Sequence, residues 1–145
     1  MLGNLLKSFR AAEPDPLPDP DAELALGALL VRVAKSDQDY QIEEISLIDR
    51  ILGQLFDRTP IQAARTRAIC ERLHAAAPET DVFAALIRQT MGIEDRLAVL
   101  EAIWQVVLAD GREREAELTI IENTRKALGL TQAESDAMRA SALNI

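Results

Sequence analysis

The sequence predicts an all-α fold, and three observations carry the prediction. Apolar residues recur at helical spacing in about seven successive segments, and no segment alternates with period two over a useful length. Leu, Ile, Val and especially Ala are abundant while aromatic residues are scarce, which favours close-packed helices over stacked strands. One stretch is also written twice. Val33-Ala34-Lys35-Ser36-Asp37-Gln38 runs on to Glu44-Ile45-Ser46-Leu47-Ile48, and Val106-Val107-Leu108-Ala109-Asp110-Gly111 runs on to Glu117-Leu118-Thr119-Ile120-Ile121. In each copy an apolar run ends at an Asp, a polar turn follows, and a Glu seven residues beyond that Asp opens a second apolar run.

The elements follow in order. Leu2, Leu5, Leu6 and Phe9 share one helical face, with Lys7 and Arg10 beside them, so residues 2–10 read as a short amphipathic segment. Alternating prolines from Glu13 to Asp21 forbid a helix and favour an extended spacer. The expected division is therefore an N-terminal segment and linker at 1–20 and a helical domain at 21–145. Its first helix carries Leu26, Leu29, Leu30 and Val33 and stops near Ser36. The second carries Ile45, Ile48, Leu52 and Leu55, with Phe56 alongside. Thr59 is a candidate N-cap and Pro60 a first helical residue for the third, whose face is Ile61, Ala64, Ala68, Ile69 and Leu73. Thr80 opens a short fourth helix bearing Val82, Leu86 and Ile87. The fifth shows Leu97, Leu100, Trp104 and Val107 after Gly92. The sixth carries Leu118, Ile121 and Leu128 and stops at Gly129. Thr131 with Glu134 spells a capping box for the last, which runs to about Leu143. Short turns force neighbouring helices to lie antiparallel, and neither hairpin buries its stripe alone. Two halves, about 22–77 and 94–144, are expected to pack around a pseudo-two-fold axis.

Composition excludes several function classes. A formal charge of −8 with no basic stripe argues against nucleic acid. Arg65, Arg67 and Arg72 lie among alanines and read as a solvated face. Cys70 is the only cysteine, so no internal disulfide forms, and its neighbours suggest a small buried hydrophobe. No apolar run is long enough to span a bilayer, and the first residues lack a secretory signal, which makes a cytoplasmic location the default. Residues 2–10 are expected to dock on the domain or on a neighbouring subunit in a homo-oligomer, ahead of a protein partner or a peripheral membrane contact, with fraying as the last alternative.

The candidate site is the pair of acidic turns, with Asp37, Glu44, Asp110 and Glu117 in equivalent places. Oxygen-rich turns suit a divalent cation. Neither turn has the alternating ligands and central Gly of an EF-hand loop, and Arg112 and Arg114 intrude on the second. The leading reading is structural: the Asp accepts from the turn backbone and the Glu meets unpaired N–H groups of the next helix. Weak cation ligation comes second and acid–base chemistry third. His74 reads as packing or a helix C-terminal contact, and Trp104 as core. Catalytic triads, phosphate-cradling glycine loops and zinc motifs do not occur, and no cofactor is expected.

Ala109-Asp110-Gly111 with Glu117, Leu118 and Ile121 resembles the signature turn of the TerB-like family associated with tellurite resistance. Ser36-Asp37-Gln38 with Glu44 resembles that family's first copy, and Glu94-Asp95-Arg96-Leu97 leading into Trp104 resembles its middle. The resemblance covers roughly residues 22 to 143. It implies a compact all-helical domain with two related halves in a bacterial cytoplasmic protein, working near the inner face of the membrane in a stress, tellurite or metal-related system. It maps the family's acidic turn residues onto Asp37, Glu44, Asp110 and Glu117, and implies a non-enzymatic module that recognises a protein partner. Two positions depart from the pattern: Gln38 replaces the usual Gly, and Glu113 stands where an apolar residue is common.

Overall fold

A computed structural model describes residues 17–36, 38–76, 79–109, 111 and 113–144. Among these lie seven α-helices and no strand. They are α1 (Ala22–Lys35), α2 (Ile42–Phe56), α3 (Pro60–Ala76), α4 (Thr80–Thr90), α5 (Ile93–Leu108), α6 (Glu115–Ala127) and α7 (Gln132–Leu143). No helix among the described residues is long and apolar enough to cross a membrane. The amphipathic segment expected at residues 2–10 lies outside the described residues. Leu17 is half-buried against the core, and Asp21 caps α1 by accepting the Leu24 N–H at 2.9 Å.

The centre of the fold is α1. Every residue from Ala25 to Ala34 is buried, and Arg32 is the only charged one among them. A helix apolar all round must be covered on all sides. Accordingly α1 packs against α2, α3, α4, α5 and α6. The second half repeats part of this plan, with α5 against α6 and α7. Across the middle α1 meets α5 and α6, and α5 meets α2. Between the halves α4 lies on α1 and α6. The core they share includes Leu26, Leu29, Leu30, Ile48, Leu52, Phe83, Ile87, Leu100, Ile103 and Leu128, all fully buried.

The crossing of α1 and α3 depends on a missing side chain. A Cβ on Gly27 would stand 2.2 Å from the Cys70 Sγ. Gly27 therefore sets how closely the two helices approach, and Cys70 fills the space it leaves.

Three expected core faces are corrected at their ends, and on α3 Ala68, expected to face inward, is exposed in mid-helix. Ile61 is 68 % exposed, Val82 55 % and Leu55 42 %. Each sits in the first or last turn of its helix, where the covering neighbours run out. The inward faces are Ala63, Cys70 and Leu73 on α3, Phe83, Ala84 and Ile87 on α4, and Ile48, Ile51 and Leu52 on α2.

Candidate functional site

The two acidic turns have the same backbone construction. The Ser36 N–H donates to the Val33 carbonyl at 3.2 Å, and the Ala109 N–H to the Val106 carbonyl at 3.3 Å. Gln38 donates to Lys35 at 3.0 Å, and Gly111 to Leu108 at 3.1 Å. Both residues take the left-handed region, with φ 66° at Gln38 and 74° at Gly111. The next helix then opens in the same way. The Gln41 N–H donates to Glu44 Oε1 and the Arg114 N–H to Glu117 Oε1, each at 3.3 Å. Glutamates at the third helical position thus satisfy N–H groups that have no partner inside the helix.

The likeness continues past the second helix of each hairpin. Asp57 and Gly129 both have positive φ, 53° and 73°. The following N–H groups reach back along the same path, Arg58 to the Gly53 carbonyl at 3.0 Å and Leu130 to the Arg125 carbonyl at 3.1 Å. Thr59 with Gln62 and Thr131 with Glu134 then make reciprocal caps. The bond to the Thr131 N–H is the first cause that holds the Glu134 carboxyl below its ordinary value.

Of the four carboxylates singled out in the sequence, the structure describes Glu44 and Glu117. Glu44 is half-buried and Glu117 is 3 % exposed. Asp37 and Asp110 lie outside the described residues. Among the described residues no group of three or more His, Cys, Asp and Glu side chains could hold a metal ion.

Sequence reasoning missed Arg32. It is 8 % exposed on the central helix and joins three elements. Its Nε donates to His74 Nδ1 at 3.0 Å, and Nη2 donates to the His74 carbonyl at 3.1 Å, in the last turn of α3. Nη1 reaches Thr80 Oγ1 at 3.4 Å, and the guanidinium lies over the Phe83 ring at 5.3 Å to the centroid. Burial lowers the Arg32 pKa, and Glu79 opposes that shift. For His74, burial and then the Arg32 charge push the pKa down, which keeps the ring neutral as the acceptor this bond needs. The signal available in the sequence was one Arg inside an otherwise apolar helix.

The remaining candidates resolve as structural. Trp104 is buried, and its Nε1 donates to Ser135 Oγ at 3.1 Å. Cys70 is buried, and desolvation pushes its thiol up to about 12, so it stays protonated. Arg67 departs from the solvated-face reading. It is half-buried and paired with Asp49 of α2 at 2.6 Å and with Glu71 of its own helix.

One open groove runs along α2 and the end of α5, bounded by the end of α7, with a volume of about 630 Å³. Leu47, Leu108 and Ala142, all half-buried, contribute apolar surface, and Glu43, Arg50, Gln54 and Gln105 make its lining at least as polar as apolar. Beside it Leu143 is 57 % exposed.

A family model described as tellurite resistance protein TerB matches residues 23–140, from the first turn of α1 into α7. The chain belongs to that family. No curated protein and no solved structure matches it.

Proposed function

We propose that this TerB-family chain is a non-enzymatic helical interaction module in a bacterial stress or tellurite-related system, and that it works by binding a protein partner. The observation that supports the reading is the α2–α5 groove, whose half-buried Leu47, Leu108 and Ala142 sit beside the charged Glu43 and Arg50. A groove of mixed apolar and polar lining offers both kinds of contact that an amphipathic helix makes. The buried polar groups nearest to chemistry are already committed, Arg32 to His74 and Thr80 and the Cys70 thiol to its protonated form. A photo-crosslinking residue at Gln105 tests the reading, with exposed Arg65 on α3 as the control position. A discrete adduct with a second protein from Gln105 and not from Arg65 supports it. The same adducts from both positions, or none from either, reject it.

A divalent-cation sensor using Asp37, Glu44, Asp110 and Glu117 is the second reading. It is favoured by the matched geometry of the two turns, which would present equivalent carboxylates twice. Titration of Ca²⁺, Mg²⁺ and Zn²⁺ with amide shifts as the readout separates the two. Saturable shifts confined to both turns and lost in Asp110→Asn favour the sensor, and no saturation at millimolar metal removes it.

A further inference from the structure

The groove has a counterpart in the other half of the molecule, and α4 packs over that counterpart. The turns set the correspondence, with Val33 matching Val106 and Glu44 matching Glu117. Under the same register Gln105 answers to Arg32, Arg50 to Asn123 and Gln54 to Ala127. Gln105, Arg50 and Gln54 line the open groove. Their counterparts all face α4. Arg32 bonds Thr80 and lies over the Phe83 ring, while Asn123 and Ala127 stand beside Glu79, Thr80 and Asp81. Thus α4 packs on both α1 and α6, leaving an open cleft of about 590 Å³ beside its first turn, and among the described residues no helix takes the equivalent place on α5 and α2.

We propose that residues 2–10 of the same chain form the helix that seats in the α2–α5 groove, in the place that α4 takes in the other half. The proposal rests on reading that groove as a helix seat. Spacing supports this occupant. The inward face of α4 is Phe83, Ala84 and Ile87, and Leu5, Leu6 and Phe9 offer large apolar groups at the same i, i+1, i+4 positions. The segment carries Lys7 and Arg10 with no acidic side chain, in a chain of formal charge −8, and of the groove's two charged residues Glu43 suits it and Arg50 does not. Its reach is sufficient. Glu23 of α1 is tied to Arg58 just past the end of α2, with Arg58 Nη2 to Glu23 Oε2 at 2.7 Å, so the chain enters the domain near the end of α2 that carries Gln54. Residues 11–16 span about 20 Å when extended, at ~3.1 Å per residue, which is nearly the length of α2.

The test is paramagnetic broadening in the full chain. A nitroxide on Ser8→Cys attaches selectively, because Cys70 is buried and held protonated; the unsubstituted chain treated in parallel checks this. Amide intensities at Leu47, Arg50 and Gln105 should fall several-fold relative to the reduced label, while those of Asn123 and Lys126 beside α4 hold. Adding Leu5→Asp and Phe9→Asp to the labelled chain should restore the lost intensities. Broadening that is absent, uniform, or centred on another face overturns the proposal. So does broadening in a mixture of unlabelled-spin isotopic chain with spin-labelled natural-abundance chain, because a second copy would then be the source. A partner adduct from Gln105 without broadening from residue 8 would keep the groove as a helix seat and remove the N-terminal occupant.

Discussion

Gln38→Gly should stabilise the protein, and the reverse change at the matching turn should destabilise it. At φ 66° Gln38 occupies the region in which an L side chain crowds its own backbone, at a cost of roughly 1–2 kcal/mol. Glycine removes that cost and adds roughly 0.5–1 kcal/mol of chain entropy to the unfolded state. Nothing else changes, because Gln38 is exposed and its N–H bond to the Lys35 carbonyl survives in a glycine. The expected net gain is about 0.5–1 kcal/mol. Gly111 provides the mirror experiment. A Cβ there meets no atom within 4 Å, so Gly111→Ala carries the dihedral cost without a clash and should lose a similar amount. Urea denaturation with an unchanged m-value measures both. A neutral or destabilising Gln38→Gly together with a tolerated Gly111→Ala would refute the matched left-handed turns.

Other outcomes follow from the same contacts. Gly27→Ala drives a methyl to 2.2 Å from the Cys70 Sγ and should destabilise by about 1–3 kcal/mol through overpacking. Adding Cys70→Ala should recover most of that loss, and two independent, additive effects in the double-mutant cycle would contradict the direct contact. His74 is the only histidine, and its folded pKa is depressed, so the unfolded chain takes up its proton first as pH falls. Its stability contribution is intact above about pH 6.5 and declines between that value and the lower folded one; His74→Gln should flatten the change in urea midpoint over this window. Arg32→Met leaves the His74 carbonyl, His74 Nδ1 and Thr80 without their shared donor and should cost about 1–3 kcal/mol in the same assay.

Much of the helical plan was legible because local chemistry announces itself. Thr59 before Pro60, Thr131 before Glu134 and Gly129 after α6 marked helix ends through groups any reader can name. The repeated Asp-to-Glu spacing located the two turns, and the second-position departure at Gln38 did not alter the backbone conformation. Packing was less legible. The stripe of Leu26, Leu29, Leu30 and Val33 suggested one buried face, whereas α1 is buried on every side. That difference depends on five neighbouring helices, which periodicity within one helix does not encode. Arg32 ties α1 to α3 and α4, a role that one charge in an apolar helix does not announce. On α3 Ala63 and Cys70 face inward, Cys70 against Gly27, while Ile61 in the first turn does not. The groove was not legible at all, since it is defined by how α2, α5 and the end of α7 pack on one another.

Amide shift mapping of the full chain against its Leu5→Asp/Phe9→Asp variant tests the binding account most directly. The account predicts that, beyond the substituted segment, the changes gather at Leu47, Arg50, Gln54, Gln105, Leu108 and Ala142 around the groove. Changes confined to residues 2–10, or gathered on the α3 or α4 surface, would contradict it.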